Sequence, residues 1–176
     1  MRNSAFLAFG FFLLVAQSNL YWIVDRLHVT GATPSLLLPL IVFMGVHEYS
    51  VARGVALSFI LGYLLDVFAA SPLGLFTTIS VATFFVARLA GVRLAAQTLL
   101  TKIALAFAFS LFQGILIVVL TAILGNDPTR ARSLALIVPP HAIATALIAP
   151  FVFRIAERIH IATMAAPTPS EGQGAR

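Results

Sequence analysis

The sequence contains no cysteine and few charged side chains. Of its 176 residues, 11 are basic and 6 are acidic, whereas 60% are hydrophobic. The lack of cysteine excludes disulfide bonds, thiolate metal ligands and cysteine nucleophiles. Soluble domains are roughly 25% charged, so a chain with 10% charged residues has too little polar surface to cover a core of this size. The composition therefore excludes an ordinary water-soluble domain and predicts an all-α integral membrane protein.

The net charge of +5 has a particular meaning in such a chain. Lys and Arg in membrane proteins concentrate in cytoplasmic loops and set the orientation of the spans. The basic excess is therefore interpreted as a topology signal, with membrane lipid as the surrounding partner. No nucleic-acid partner is expected.

Charged and turn residues divide the chain into six apolar blocks. The predicted spans are residues 4–24, 34–50, 53–69, 72–88, 103–124 and 133–154. They form one transmembrane domain over residues 1–163, and the small, polar segment 164–176 is predicted to be a disordered cytoplasmic tail. The second span is short, so it must thin the bilayer, borrow flanking residues or lie inside the bundle. Pro139-Pro140 predicts a bend or break in the sixth span.

The first block has two interpretations. It follows Arg2, and the segment 16–18 resembles the cleavage point of a signal peptide. The block continues to Val24, however, and it ends in Tyr21-Trp22, an aromatic pair typical of a membrane interface. A retained first helix is favoured.

The basic residues predict the orientation. With a cytoplasmic N-terminus, eight of them lie inside the cell: Arg2, Arg53, Arg88, Arg93, Lys102, Arg154, Arg158 and Arg176. Three lie outside: Arg26, Arg130 and Arg132. This bias supports six spans with both termini in the cytoplasm, whereas one long helix over 54–87 would remove it. The basic segment 88–102 either lies on the cytoplasmic leaflet as an amphipathic helix or extends the helices beside it.

Asp66 is a charge at bilayer depth. A carboxylate there costs about 2.5–3.5 kcal/mol, so it is expected to face the bundle rather than lipid. Three interpretations stay open: it caps the start of the next helix, it binds an ion or a proton, or it contacts a partner protein. The amides of Gln17, Asn19 and Gln113 are expected to form hydrogen bonds between helices.

Small residues precede Asp66 at helical spacing. Gly54, Ser58 and Gly62 recur every four residues and share one helix face with it. Such a face forms a flat groove that another helix can approach closely. The groove is filled either by a partner protein or within the chain. In the second case an external partner surface is expected on the first or sixth helix, where Ala142 and Ala146 form a second small pair.

No residue pattern indicates catalysis, cofactor binding or metal binding. The four histidines lack metal-ligand spacing, no Ser–His–Asp set lies at a common depth, and no glycine-rich phosphate loop is present. His141 follows two prolines, so it is interpreted as a packed residue that satisfies a freed backbone carbonyl. We expect a non-enzymatic protein without cofactor or metal.

The segment from Arg53 to Thr77 resembles the signature stretch of the rod-shape-determining MreD family. In that family a glycine-rich third helix ends in a Gly-x-x-x-Asp pattern, and a short turn leads through a Pro-Leu-Gly-like sequence into the next helix. The matching residues here are Gly54, Gly62, Asp66, Pro72, Leu73 and Gly74. The chain departs from the pattern at Tyr63, where a smaller aliphatic residue is expected.

The resemblance implies a subunit of the bacterial cell-elongation complex in the inner membrane. It implies binding to the membrane-anchored protein MreC, with MreB, RodA and a class B penicillin-binding protein in the same complex. This complex maintains rod shape by directing peptidoglycan synthesis along the side wall.

The implied fold is similar to the S-components of energy-coupling-factor transporters. That similarity defines an alternative function, a vitamin-binding or other small-molecule-binding subunit of a transporter, with a pocket that opens to the outside. The short outer loops and the lack of an Ala-x-x-x-Ala pattern in the first helix speak against this alternative.

Overall fold

The computed structural model describes residues 2–26, 33–47, 50–69, 73–91, 99–124 and 128–164. These residues form six helices: α1 (Arg2–Arg26), α2 (Leu37–His47), α3 (Val51–Phe68), α4 (Leu75–Gly91), α5 (Leu99–Leu124) and α6 (Pro128–Met164). Within this part of the chain, α3, α5 and α6 are long and apolar enough to cross a membrane. The all-helical prediction is confirmed, and these three helices indicate a membrane protein.

The short helix α2 lies at the centre of the bundle. The other helices contact one another in the cyclic order α1, α3, α4, α5 and α6, and α2 contacts each of them. Every residue from Leu37 to Gly45 is buried. A helix that is apolar on all sides belongs in a core. Its 11 residues span about 16 Å, roughly half of the hydrocarbon layer, so burial inside the bundle explains its length.

The hydrophobic core surrounds this central helix. Leu40 and Val42 of α2 have no exposed surface, and neither do Leu61 of α3 and Phe84 of α4. Large apolar side chains on the outer faces of α1, α3, α5 and α6 are exposed instead. This distribution gives the bundle an apolar exterior that is suited to lipid contact.

The helix α6 continues through its prolines and beyond its predicted end. Its 37 residues include Pro139, Pro140 and Pro150, so the helix is not broken there, and of the two predicted outcomes, a bend or a break, the break is wrong. Neighbouring helices and polar side chains can satisfy the backbone groups that a proline frees inside a membrane bundle. The helix passes residue 154 and ends at Met164, and Ala156 in this extension packs in the core.

Two other predictions fall partly outside the described residues. The helix α4 continues to Gly91 and α5 begins at Leu99, so the flanks of the basic segment extend these helices, whereas 92–98 lie outside the described part. The predicted tail, apart from Met164, also lies outside it, and so does Pro72.

Candidate functional site

Asp66 joins the end of α3 to the start of α4. Its side chain is 1% exposed. Oδ1 accepts a hydrogen bond from the amide of Phe76 at 2.8 Å. Oδ2 accepts from the amides of Gly74 at 3.0 Å and Thr77 at 3.1 Å, and from the Thr77 hydroxyl at 2.6 Å. The carboxylate therefore caps the N-terminus of α4 from the neighbouring helix.

The chemistry of a helix start explains this arrangement. The first amides of a helix lack partners within the helix, and the helix dipole favours a negative charge beside them. Gly74 adopts a φ of +97°, which is accessible to glycine, and its own amide is one of the donors to Asp66. Four donors from this chain reach the carboxylate, three of them at Oδ2 and one at Oδ1. Of the three interpretations of Asp66, these hydrogen bonds support helix capping.

The small-residue face of α3 packs against α4 within the chain. A Cβ atom at Gly62 would lie 2.8 Å from the Cα of Thr77 and 2.9 Å from the Cβ of Ser80. A Cβ atom at Gly54 would overlap the ring of Phe84. Ser58, between the two glycines, has no exposed surface. The groove is therefore filled by α4 and is not a free surface for a partner.

The second small pair also lies inside the bundle. Ala142 and Ala146 are 0% and 4% exposed, on the inner side of a helix that contacts α1, α2 and α5. The suggestion that this pair forms an external partner surface is wrong. Small residues permit close packing wherever two helices meet, and the sequence alone does not show which helix they meet.

The start of α2 is capped by side chains from α1 and α6. The Leu36 amide donates to Gln17 Oε1 at 2.9 Å, and the Ser35 amide donates to Thr145 Oγ1 at 3.0 Å. The Thr145 hydroxyl in turn donates to the His141 carbonyl at 2.8 Å. This second helix cap is neutral and is formed by residues distant in the sequence.

The three membrane amides have different surroundings. Gln17 forms the expected hydrogen bond between elements. Asn19 instead donates to the Val15 carbonyl of its own helix at 2.9 Å, so its prediction is wrong. Gln113 is buried, and its Oε1 has no hydrogen-bond partner in the described part of the chain.

A cavity of about 390 Å³ lies beside the cap of α2. Its polar lining comes from Gln17, Ser18, Thr33 and His141. Its remaining walls are mainly apolar and include Leu14, Pro34, Leu65, Phe68 and Ala69. The ring of His141 forms a hydrogen bond with the backbone of Thr33, a residue that lies before α2. Its partner is therefore not a carbonyl freed by the prolines of α6. Sequence reasoning did not predict this cavity, because its lining residues are far apart along the chain.

The opposite end of the bundle carries a smaller polar group. Lys102 of α5 and Glu157 of α6 form an ion pair at 3.2 Å. The ring of His47 stacks on Phe43 with their centroids 4.3 Å apart, and His160 contacts both rings edge-on. Exposed ion pairs contribute about 0–1 kcal/mol to stability. These contacts join α2, α5 and α6.

Asp66, Gln17 and Thr145 are the polar side chains that hold the starts of helices α4 and α2. Within the described segments, no group of three or more His, Asp or Glu side chains could hold a metal ion. The two features that the described residues offer as a candidate site are Asp66 with its four donors and the polar-lined cavity beside α2. A scan against protein-family models, a search of curated proteins and a search of solved structures each find no match for this chain.

Proposed function

We propose that this protein is a non-enzymatic subunit of the bacterial cell-elongation complex. In this proposal it binds an MreC-like protein in the inner membrane, together with MreB, RodA and a class B penicillin-binding protein. It thereby supports side-wall peptidoglycan synthesis and maintains rod shape. The proposal rests on the resemblance of residues 53–77 to the MreD pattern.

The observation that carries the proposal is that the residues of this pattern act on one another. Asp66 accepts a hydrogen bond from the amide of Gly74. Gly62 lies against Thr77, which is a further donor to the same carboxylate. A pattern that arose by chance in an apolar sequence has no reason to converge on one hydrogen-bonded hairpin. This convergence supports treating the pattern as a structural signature.

Tyr63, the departure from the pattern, does not disturb this hairpin. Its side chain is 48% exposed on the outer face of α3, whereas Gly62 and Asp66 are buried toward α4. Helix positions that face outward tolerate changes in side-chain size because no packed neighbour is displaced. The departure therefore falls outside the packing of α3 against α4.

The surface for the MreC-like partner then belongs to the outside of the bundle. Both sets of small residues are buried, so they contribute to folding rather than to direct partner contact. On α3 the side chains of Phe59, Tyr63 and Val67 are exposed and recur every four residues, so they share one outward face. This face, called here the outer α3 face, is our candidate contact surface.

We further propose six spans, an S-component-like arrangement, and a cytoplasmic location for both termini. Along the up-and-down path of the helices, Arg53 and Lys102 stand near the starts of α3 and α5, whereas Arg88 and Arg158 stand near the ends of α4 and α6. These positions fall at the same end of the bundle, as the positive-inside rule requires.

Reporter fusions test this orientation. Fusions at Ala52, at Leu100 and after Arg176 should report the cytoplasm, and a fusion at Asn126 should report the periplasm. A periplasmic signal at Leu100 would contradict the six-span arrangement.

Depletion of the protein in its rod-shaped host tests the function. We expect cells to widen and round, with side-wall synthesis no longer confined to its normal sites. Cell width and the incorporation of a fluorescent peptidoglycan precursor measure these changes. If cell shape stays normal and uptake of a small molecule is lost, the transporter-subunit alternative replaces this proposal.

A further inference from the structure

The cavity beside the start of α2 has the size of a small-molecule site. Its volume is about 390 Å³, and ligand pockets typically occupy about 300–1,000 Å³. An apolar cavity of about 150 Å³ is large enough to bind benzene. The cavity here therefore has room for a fused two-ring molecule and for some ordered water.

The polar groups on its wall retain hydrogen-bonding capacity. Gln17 uses Oε1 to accept from Leu36, which leaves the two N–H groups of the same amide as donors. His141 uses one ring nitrogen for the backbone of Thr33. In a neutral imidazole that donates through one nitrogen, the other nitrogen is an acceptor. The wall thus offers a donor from α1 and an acceptor from α6.

Within the described lining, the remaining walls favour an uncharged molecule with an apolar body. Leu14, Leu65 and Phe68 provide apolar surface. The described lining residues include no Asp, Glu, Lys or Arg. A charged ligand would lose its hydration without gaining a counter-ion, at a large cost in free energy.

The cavity is reached from the surface between α1 and α3. Ser18 on α1 and Ala69 at the end of α3 both line it and are both exposed. Phe68, also in the lining, is 46% exposed. A ligand can therefore enter from the same end of the bundle at which Asp66 caps α4.

We propose that this cavity binds an uncharged, fused-ring-sized molecule that carries one hydrogen-bond donor and one acceptor. The ring nitrogen of His141 accepts the ligand's proton donor, and the Gln17 amide donates to its acceptor. The apolar body packs against Leu65 and Phe68. The described lining does not include Phe59, Tyr63 or Val67, so this site is distinct from the outer α3 face proposed above.

Indazole is a suitable probe, because it is uncharged at neutral pH and has adjacent donor and acceptor nitrogens. Indene has the same fused-ring shape without either nitrogen and serves as the matched control ligand. Binding is measured on the purified full chain in detergent, by native mass spectrometry for stoichiometry and by thermal unfolding for affinity. Because the measurement uses purified protein, it is independent of the cell-shape experiment.

Ala69→Phe places an aromatic ring in the cavity opening, at an exposed helix end with an ordinary backbone conformation (φ −85°). Val67→Phe adds a similar ring two residues away, at an exposed position outside the described lining.

His141→Phe removes the acceptor and keeps an aromatic ring. Loss of this single hydrogen bond should weaken indazole binding by roughly tenfold and leave indene unaffected.

We expect one indazole molecule to bind the wild-type chain and Val67→Phe equally, and binding to be lost in Ala69→Phe. Equal stabilisation of all variants would show non-specific partition into the detergent-covered surface and would overturn the proposal. Failure of indazole to bind the wild-type chain would indicate a cavity that holds water only. Tighter binding of indene than of indazole would indicate a site for a lipid chain. Each of these last two results would also overturn the proposal.

Discussion

The helices α2 and α4 begin at the same end of the bundle, but their first amides are satisfied in different ways. At α4, one carboxylate accepts four hydrogen bonds from three residues at the helix start, Gly74, Phe76 and Thr77. At α2, the neutral side chains of Gln17 and Thr145 accept one amide each. The first cap is formed within a single hairpin, and the second joins three separate parts of the chain.

The difference shows where a buried charge can be accommodated. A carboxylate at bilayer depth is costly unless it is hydrogen-bonded, and the α3–α4 hairpin supplies four donors of its own. A neutral amide with unused N–H groups costs less and can face an open space. The cavity lies beside the neutral cap, whereas Asp66 is sealed. We infer that the charged cap serves folding and that the neutral cap leaves room for a ligand.

The largest expected effect comes from Asp66→Leu. The substitution removes the acceptor of three backbone amides and one hydroxyl, and each buried unpaired donor costs about 1–3 kcal/mol. We expect the free energy of unfolding to fall by about 3 kcal/mol or more. Denaturant titration followed by circular dichroism in mixed micelles measures this loss.

Asp66→Asn is the matched control, because its amide oxygen still accepts hydrogen bonds. It should lose clearly less stability than Asp66→Leu. Equal and complete loss in both variants would show that the negative charge itself is required. Normal stability in both variants would show that the Asp66 cap does not contribute to the stability of the fold.

Gly62→Ala is expected to have the next largest effect. The new Cβ would lie 2.8 Å from the backbone of Thr77, so α3 and α4 must move apart, at a cost of about 1–3 kcal/mol. Gly74→Ala is the comparison, since its Cβ would meet nothing within 4 Å. Its positive φ alone should cost about 1–2 kcal/mol. A larger loss in Gly74→Ala would show that the turn, rather than close packing, limits the stability of the hairpin.

Thr145→Val should have a smaller effect than the changes at the hairpin. It preserves shape and removes the acceptor of the Ser35 amide, which typically costs about 1 kcal/mol at a helix cap. Thermal unfolding in detergent is a sufficient measurement. A loss as large as that of Asp66→Leu would contradict the distinction between the two caps.

Gln17→Leu should have the smallest effect of the series. It removes the acceptor of the Leu36 amide, but Gln17 lines the cavity, where water can replace the lost hydrogen bond. We expect a loss below about 1 kcal/mol, again measured by thermal unfolding. A greater loss than that of Thr145→Val would indicate that water does not reach this amide.

Much of the hairpin could be predicted from the sequence, because its chemistry is local. The four-residue spacing of Gly54, Ser58, Gly62 and Asp66 predicts their shared face, and helix capping by Asp66 was one of three interpretations. The helix that fills the groove could not be predicted, since small residues permit close packing without specifying the neighbour. Tyr63 was identified as a departure from the pattern, but its outward position required the structure.

The position of α2 and the cavity could not be predicted for a related reason. A short apolar block is equally compatible with a thinned bilayer, with a span that includes flanking residues, and with burial at the centre of a bundle. Only the five surrounding helices decide between these possibilities. The hydrogen bond from the Ser35 amide to the Thr145 hydroxyl joins two residues that are 110 positions apart, and no local sequence pattern connects these two residues. Pro139-Pro140 predicts a break by a local rule, whereas α6 continues because tertiary packing can compensate for missing helical hydrogen bonds.

The most direct test of the central claim, that the chain acts by binding an MreC-like protein, is affinity capture of the tagged protein from native membranes. The MreC-like protein is then quantified by mass spectrometry, with Asp66→Asn and the outer-face variant Tyr63→Ala expressed at matched abundance. The account predicts that the wild-type chain and Asp66→Asn capture this partner equally, because Asp66 acts within the hairpin, and that Tyr63→Ala captures less. Absence of the MreC-like protein from the wild-type capture would contradict the central claim.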